Sequence, residues 1–210
     1  MVYIYGMKYG DEGENGMKYG REENRKMKTS VTHPLRLDFV PTNLSGDVAI
    51  TMCPGKYQPN AQSGFWDRDL DLDLQRISDY ETNNGIPVST IITLIEEHEM
   101  VDLRVEKLGQ KAVAMGFIWI HLPFEDGWRP HVGWLNDWNN SKSQLISSLE
   151  SGENVMIHCK GGIGRAGTVS ALLLHEIGYS IIEGIELVRE IRSEDCIEGP
   201  QEEWLLENFS

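Results

Sequence analysis

A largely apolar run of β-branched and aliphatic residues lies near the middle of the chain, from Val88 to Ile95 (VSTIITLI). A strand that is covered by helices on both faces has this pattern, because neither of its two sets of alternating side chains meets water. Shorter runs of similar character occur at 37–40, 48–52, 117–122 and 154–158. We expect these five segments to be the strands of one sheet.

Segments with helical periodicity separate most of these strands. Leu70, Leu74 and Ile77 recur at i, i+4 and i+7, which predicts an amphipathic helix over about 65–83. Further helices are predicted over about 104–115, 132–151, 165–177 and 180–192, and from Pro200 onward. Because strands and helices alternate, the sequence predicts an α/β fold with a mostly parallel central sheet of about five strands flanked by helices.

The first thirty residues differ from the rest of the chain. The tetrapeptide Met7-Lys8-Tyr9-Gly10 recurs ten residues later as Met17-Lys18-Tyr19-Gly20, and polar, glycine-bearing spacers separate the copies. Such a stretch has almost no aliphatic side chains to bury. We therefore expect 1–30 to be a mobile tail and 31–210 to be one folded domain.

The formal net charge of the chain is −14. The basic and acidic residues of the first thirty positions nearly cancel, so this acidity belongs to the folded part. A surface of this sign repels nucleic acid and anionic lipid head groups. No apolar run approaches the ~18 residues of a membrane-spanning helix. We expect a cytoplasmic monomer that binds neither nucleic acid nor membranes.

The three cysteines, Cys53, Cys159 and Cys196, are too far apart for a disulfide framework or a zinc knuckle. The six histidines show no metal-ligand spacing on one helix face. We expect no metal site and no cofactor.

A strand, a glycine-rich loop and the start of a helix follow one another from Val155 to Thr168 (VMIHCKGGIGRAGT). Glycine lets a backbone curl tightly and turn its N–H groups inward, and a ring of such groups at a helix N-terminus binds anions. The residues expected to bind a phosphate through this loop are Lys160, Gly161, Gly162, Ile163 and Gly164.

Cys159 stands at the rim of this loop, where the positive field favours the thiolate, the form that attacks phosphorus. Arg165 follows six residues later, and its planar guanidinium can hold two phosphate oxygens and stabilise the charge of a phosphoryl group in transfer. The alternative, a buried structural cysteine in a glycine-rich turn, gives the arginine and the glycines no function.

The string His158-Cys159, five residues and Arg165 resembles the signature loop of the cysteine-dependent protein tyrosine and dual-specificity phosphatases. The resemblance covers most of residues 31–210. It implies a protein phosphatase of the dual-specificity type, which hydrolyses phosphotyrosine, phosphoserine and phosphothreonine through a cysteinyl-phosphate intermediate. A sulfurtransferase of the rhodanese kind also has a Cys-to-Arg anion loop, but usually with four intervening residues.

Flanking segments make the chain most similar to the kinase-associated branch of this family. They are Thr51 to Lys56 (TMCPGK), the strand from Val88 to Ile95, and Ile197-Glu198 with Gln201. The implied partner is a phosphorylated protein substrate, with a kinase as one candidate. Two other functions stay open, a phosphoprotein-binding module with little turnover and a phosphoinositide phosphatase. The acidic domain and the single lysine of the loop, Lys160, disfavour the second.

The resemblance also implies a general acid, an aspartate on a mobile loop that precedes the cysteine. Asp126 lies 33 residues before Cys159, in the string Pro123-Phe124-Glu125-Asp126, and resembles the family's Pro-x-x-Asp. Glu125 is the local alternative, and both acids could equally be solvated loop residues.

Three further residues have expected supporting functions. Gln201 corresponds to a glutamine that orients the attacking water in related phosphatases; the alternative is an exposed residue of a first helical turn. His158 is expected to anchor the loop by hydrogen bonds. The family usually has Ser or Thr directly after the arginine, where its hydroxyl stabilises the leaving thiolate. This chain has Ala166 there, and the next hydroxyl belongs to Thr168.

Overall fold

A computed structural model describes residues 26–210 of the chain, except for the side chains of 81–84. Residues 1–25, which contain the repeated tetrapeptide and most of the predicted tail, lie outside the described residues. The predicted boundary at residue 30 therefore stays a prediction.

Five strands form the central sheet in the order β1-β2-β7-β5-β6. Their bounds are β1 Asp38–Val40, β2 Val48–Met52, β5 Val88–Thr93, β6 Ile118–His121 and β7 Asn154–Cys159. β1 pairs antiparallel with β2, and the remaining neighbours are parallel. The predicted α/β class with a mostly parallel five-stranded sheet is confirmed.

Seven helices accompany the sheet in the described part of the chain. They are α1 Leu70–Asn84, α2 Glu97–Asp102, α3 Leu108–Ala114, α4 Trp134–Glu150, α5 Gly164–Glu176, α6 Ile181–Ile191 and α7 Gly199–Phe209. One face of the sheet packs against α1 and α3, and the other packs against α4, α5 and α6, with α7 behind α5. Both faces are therefore covered, which explains why the central strands are apolar on both sides.

The chain between β2 and α1 differs from the prediction of a loop followed by a helix over 65–83. It forms a hairpin, β3 Tyr57–Ala61 and β4 Gly64–Asp67, which pairs antiparallel outside the main sheet. Helix α1 begins only at Leu70, because Asp69 terminates the extended segment and accepts a hydrogen bond from the Leu72 N–H at 2.9 Å.

The helix predicted over 104–115 is shorter than expected and is preceded by a helix that the sequence analysis did not predict, α2. Arg104 has a positive φ of 60°, which ends α2 and prevents a helix from running through this position. Leu103 and Val105 are buried on the two sides of Arg104, so the spacing of the apolar residues in this stretch is set by packing across two short helices.

Candidate active site

The predicted anion loop lies at the carboxyl end of the central strand. Cys159 is the last residue of β7, and α5 begins at Gly164. Parallel pairing places Met52 of β2 opposite Cys159, and Thr93 of β5 opposite His158. Parallel sheets place their sites at this edge, since the loops after several strands converge there.

The curvature of the loop depends on Gly162. This residue has a φ of +70°, and a Cβ at its position would lie 2.4 Å from the carbonyl oxygen of Thr51 in β2. No other residue type fits both constraints without strain. The resulting turn directs the Gly162 N–H at the sulfur of Cys159, at a distance of 3.2 Å.

Arg192, which follows α6, binds the outer side of the loop. Its Nε donates to the carbonyl of Gly162 at 2.8 Å, and its Nη2 donates to the carbonyl of Gly161 at 3.3 Å. Its Nη1 forms an ion pair with Asp38 at 2.5 Å. The C=O and N–H of a trans peptide point in opposite directions, so outward carbonyls turn the following N–H groups inward. The loop can therefore hold an oxyanion over the Cys159 sulfur.

Arg165 is fully buried at the start of α5. Its guanidinium forms a bidentate ion pair with Glu99 of α2, with N–O distances of 2.5 and 2.9 Å, and Nη1 also donates to the carbonyl of Phe124 at 3.0 Å. Burial would lower the pKa of Arg165, but the hydrogen bonds to Glu99 and the nearby Cys159 and Asp126 hold that pKa above its ordinary value. Arg165 is therefore charged and fixed in direction.

One donor of Arg165 stays free of protein partners. Among the described side chains, its Nε is the single buried nitrogen or oxygen without a hydrogen bond within the protein. A buried unpaired N–H costs free energy, which an acceptor on a bound molecule would recover.

The Glu99 carboxylate is nearly as buried as its arginine partner. Burial alone would raise the pKa of Glu99, but hydrogen bonds from Arg165 and from the backbone of Glu96 outweigh burial and lower that pKa. Lys160 approaches the same carboxylate at 4.0 Å. Glu99 is therefore an anion, and its carboxylate orients the Arg165 guanidinium.

The loop after β6 brings Asp126 to the same place. Its carboxylate lies 3.0 Å from Nη2 of Arg165, and its side chain is about half-exposed to the cleft above Cys159. Glu125 lines a neighbouring cleft of about 890 Å³ instead. Of the two acids that the sequence analysis left open, Asp126 is the one that faces the cysteine.

His158 is fully buried behind the cysteine, and burial lowers its pKa to about 4, so the ring is neutral. Its Nδ1 lies 3.4 Å from the Cys159 carbonyl, which can only accept, and its Nε2 lies 2.8 Å from the Thr93 hydroxyl. The Thr93 oxygen in turn accepts the indole N–H of Trp119 at 2.9 Å. This hydrogen-bonded chain ties the end of β7 to β5 and β6.

Gln201 is fully buried near the start of α7, so the alternative of an exposed first-turn residue is wrong. Its side-chain amide N–H donates to the Trp128 carbonyl at 3.3 Å, which links α7 to the acid loop. Its Oε1 accepts the backbone N–H of Glu198 at 3.1 Å and lies 3.1 Å from the Thr168 hydroxyl. Gln201 lies behind the residues that line the cleft, so the expected positioning of a water stays a prediction.

Thr168 does not replace the hydroxyl that Ala166 lacks. Its hydroxyl lies 3.0 Å from the Gly164 carbonyl, one turn earlier in α5, and 3.1 Å from the Gln201 amide oxygen. Both partners are acceptors, so the single proton of this hydroxyl is shared between the Gly164 carbonyl and the Gln201 amide oxygen. Ala166 itself is fully buried.

The cleft above Cys159 has a volume of about 590 Å³. The signature loop forms its floor, with Gly161, Ile163 and Gly164 among the lining residues. The β3–β4 hairpin, absent from the sequence analysis, forms one wall through Gln58, Ala61, Gln62, Ser63 and Trp66. Lys56, just before the hairpin, also lines it and is buried except for 3% of its surface.

Three charged residues of this site are not predicted by the sequence pattern: Lys56, Glu99 and Arg192. Lys56 ends the segment Thr51 to Lys56 (TMCPGK), to which the resemblance gave no function at this position. Glu99 and Arg192 occur in segments with no distinguishing motif, and the run from Glu96 to Glu99 reads as a solvated surface. The signal that could have identified Glu99 is its position directly after the strand 88–95, at the sheet edge where sites form.

In the described part of the chain, no cluster of three or more His, Cys, Asp or Glu side chains could hold a metal ion. No helix of residues 26–210 is long and apolar enough to cross a membrane.

Sequence comparison relates the chain to known phosphatases. The family model described as "Polymorphic toxin system, DSP-PTPase phosphatase" matches residues 75–178. Rat "Cyclin-dependent kinase inhibitor 3" is 26% identical over 133 residues, which cover 62% of this chain and 60% of the relative. "Tyrosine-protein phosphatase CDC14" of Saccharomyces cerevisiae is 32% identical over 43% of this chain and 16% of the relative. The matches thus span less than two thirds of these relatives.

Solved structures share the fold. Kinase associated phosphatase (KAP), crystallised with its catalytic cysteine replaced by serine, superposes with a TM-score of 0.71 at 22% identity, over 83% of this chain and 93% of that one. PTPMT1 superposes with a TM-score of 0.58 at 20% identity, over 82% and 92% of the two chains. Taken with the matching family model and the Cys159–Arg165 loop, these likenesses show that the chain belongs to the cysteine-dependent dual-specificity phosphatases.

Proposed function

We propose that the chain is a protein phosphatase of the dual-specificity type, with Cys159 as its nucleophile. The observation that carries the proposal is the position of the Cys159 sulfur, which accepts the Gly162 N–H at 3.2 Å on the floor of an open cleft. The Gly162 N–H points at this sulfur, and the thiolate is the nucleophilic form of cysteine.

The proposed reaction has two steps. In the first, the Cys159 thiolate forms an S–P bond while the bond from phosphorus to the leaving oxygen breaks, and the Asp126 carboxylic acid gives that oxygen its proton. In the second, water attacks phosphorus, Asp126 takes up a proton from that water, and the S–P bond breaks to restore the thiolate. Arg165 and the inward amides of 161–163 hold the phosphoryl oxygens throughout. Gln201, through the acid loop, positions the water.

Asp126 needs a proton for the first step, although it pairs with Arg165 in the structure. A phosphate that binds Arg165 displaces this carboxylate, and the negative charge of the phosphate favours protonation of the displaced Asp126. The same movement places the carboxylic acid at the mouth of the cleft, where a leaving oxygen would lie.

The substrate class follows from the relatives and from the cleft. The relatives are named as a cyclin-dependent kinase inhibitor and as tyrosine phosphatases, and the structural neighbour is a kinase associated phosphatase. A phosphorylated protein, with a kinase as one candidate, is the proposed substrate. The open cleft suits phosphoserine and phosphothreonine as well as phosphotyrosine. The proposed enzyme is a cytoplasmic monomer that binds neither membranes nor nucleic acid.

Turnover of phosphotyrosine, phosphoserine and phosphothreonine peptides beside phosphoinositides tests the proposal. We expect hydrolysis of the peptides, no loss of activity with a chelator, and complete loss in Cys159→Ser. Cys196→Ala, which removes a buried thiol outside the cleft, should stay active and serves as the control. Activity on the lipids alone would make the chain a phosphoinositide phosphatase. Tight peptide binding without turnover would make it a phosphoprotein-binding module.

A further inference from the structure

Four cations surround the cleft, and three of them are paired with carboxylates: Arg165 and Lys160 with Glu99, and Arg192 with Asp38. The fourth is Lys56. Its ammonium forms no ion pair with a carboxylate of the described side chains, although Lys56 is 97% buried. A buried charge without a counterion is costly, so such a group is retained where an anion binds or where it fixes a structure.

The backbone of Lys56 is held in place by a turn between β2 and β3. Gly55 has a φ of +71°, and a Cβ there would lie 2.5 Å from the Leu70 side chain. The Gly55 N–H donates to Asp73 at 2.8 Å, and the Lys56 carbonyl accepts the Arg68 N–H at 3.1 Å. Asp73 and Arg68 themselves form a buried ion pair. The side chain therefore starts from a rigid point and extends toward the signature loop.

The Lys56 ammonium forms a hydrogen bond with the first carbonyl of that loop. Its Nζ donates to the Lys160 carbonyl at 3.0 Å and to Oε1 of Gln58 at 3.0 Å. Because the peptide is trans, the outward carbonyl of Lys160 turns the N–H of Gly161 to the opposite side, toward the loop interior. Arg192 holds the next two carbonyls in the same way. Lys56 thus completes a series of three consecutive outward carbonyls.

We propose that Lys56 is a positioning residue of the phosphoryl-binding loop. Its ammonium fixes the Lys160–Gly161 peptide and adds a positive charge that no carboxylate of the described side chains offsets. This inference rests on the proposed function, because it takes the loop to be the phosphate site. It goes beyond that function by assigning part of the anion affinity to a residue outside the signature loop.

The protonation of Lys56 provides a readout. Burial lowers the pKa of Lys56 to about 8, and the positive charges of Arg68 and Lys160 add to this shift. Only the ammonium form both donates to the carbonyl and attracts an anion. Affinity for an oxyanion is therefore complete below this pKa and declines as the pH rises through it.

The test is tungstate binding by calorimetry, from about pH 6.5 to about pH 9.5, a range that brackets the Lys56 pKa. All proteins carry Cys159→Ser, so that the cleft contains no thiol. At the lower pH, Lys56→Met should weaken binding about tenfold. The parent protein, which carries Cys159→Ser alone, should lose about the same tenfold affinity between the lower and the higher pH. Lys56→Met and Lys56→Arg should show no such alkaline decline. Lys142→Met, which removes a lysine outside the cleft, is the control and should match the parent.

Equal affinity of Lys56→Met and the parent at the lower pH, or an alkaline decline that persists in Lys56→Met, would overturn the inference. If Lys56→Met does not fold, Lys56→Arg decides, because an arginine that still shows the decline excludes Lys56 as its origin. Tungstate binding needs no turnover. A chain that hydrolyses no phosphorylated compound but binds tungstate through Lys56 would refute the proposed function and leave this inference standing.

Discussion

Arg165 and its partners show how single residues prepare the cleft. Glu99 fixes two nitrogens of the guanidinium, and Asp126 approaches one of them at 3.0 Å from the opposite loop. Removing one partner from a buried ion pair leaves an uncompensated charge, so Glu99 and Arg165 depend on each other. The more exposed Asp126 is the carboxylate that an incoming phosphate can replace.

At this scale we expect Asp126→Asn to slow hydrolysis of a phosphoserine peptide by ~10²–10⁴-fold, because an alkoxide leaving group needs a proton. The loss should be smaller for p-nitrophenyl phosphate, whose leaving group departs without one. Steady-state kcat/KM on both substrates measures the difference. Glu125→Gln alters the adjacent carboxylate, which lines the other cleft, and is the matched control. Equal losses on both substrates would argue against Asp126 as the acid.

At the scale of elements, the signature loop is held between β2 and α6. Thr51 of β2 approaches Gly162 from one side, and Arg192 at the end of α6 binds two loop carbonyls from the other. The loop thus owes its shape to elements distant in sequence, and its own glycines only permit that shape.

We therefore expect Gly162→Ala to lower both stability and activity. The added Cβ would lie 2.4 Å from the Thr51 carbonyl at a φ of +70°, and such strain costs about 1–3 kcal/mol of unfolding free energy. Denaturant unfolding with tungstate binding measures the two effects. Gly161→Ala is the stability control, since its Cβ would meet nothing nearer than 3.9 Å. Similar unfolding free energies for the two variants would refute this account.

Gly116→Ala isolates the conformational contribution. Gly116 also has a positive φ, 96°, but a Cβ there would have no neighbour within 4 Å. Its substitution should cost less unfolding free energy than Gly162→Ala, because only the backbone strain is shared.

The elements differ in how far the sequence predicts them. All five sheet strands were predicted, because burial on both faces requires continuous β-branched runs such as 88–93. The hairpin was not, since β3 reads Tyr-Gln-Pro-Asn-Ala, which has no alternation of polar and apolar residues, and its Gln58 lines the cleft. Proline fits in such an edge strand but argues against a strand when only the sequence is known.

The same distinction holds for the site. The contiguous loop from His158 to Arg165 was predictable because one short segment carries its chemistry. Glu99 and Lys56 contribute through burial and through contacts with residues far along the chain. From a local sequence pattern alone, a charged residue is expected to be exposed to solvent, because its burial depends on tertiary packing. The water-orienting role of Gln201 and the acid role of Asp126 stay predictions.

At the scale of the whole molecule, a net charge of −14 surrounds a cleft with four cationic side chains. Acidic surfaces repel an approaching phosphate at long range, whereas the cleft attracts it at short range. The balance favours substrates whose phosphoresidue is flanked by basic side chains, because these are steered by the outer field.

We expect the salt dependence of kcat/KM to have opposite signs for two otherwise identical phosphopeptides. With basic flanks, kcat/KM should fall several-fold between low salt and about 0.3 M, because the Debye length shortens well below 10 Å. With acidic flanks it should be lower at low salt and rise. A peptide with neutral flanks is the control. Parallel trends for the three peptides would show that the outer field has no influence on selection.

The position of β7 in the sheet order has a consequence for synthesis of the chain. β7 is the last sheet strand to be made, yet it inserts between β2 and β5, which then lie on either side of it. Until β7 leaves the ribosome, the four earlier strands cannot form this sheet, and two of them present unpaired edges. The strand that closes the sheet is also the one that ends in Cys159. A nascent chain thus completes its sheet and acquires its nucleophile in the same event.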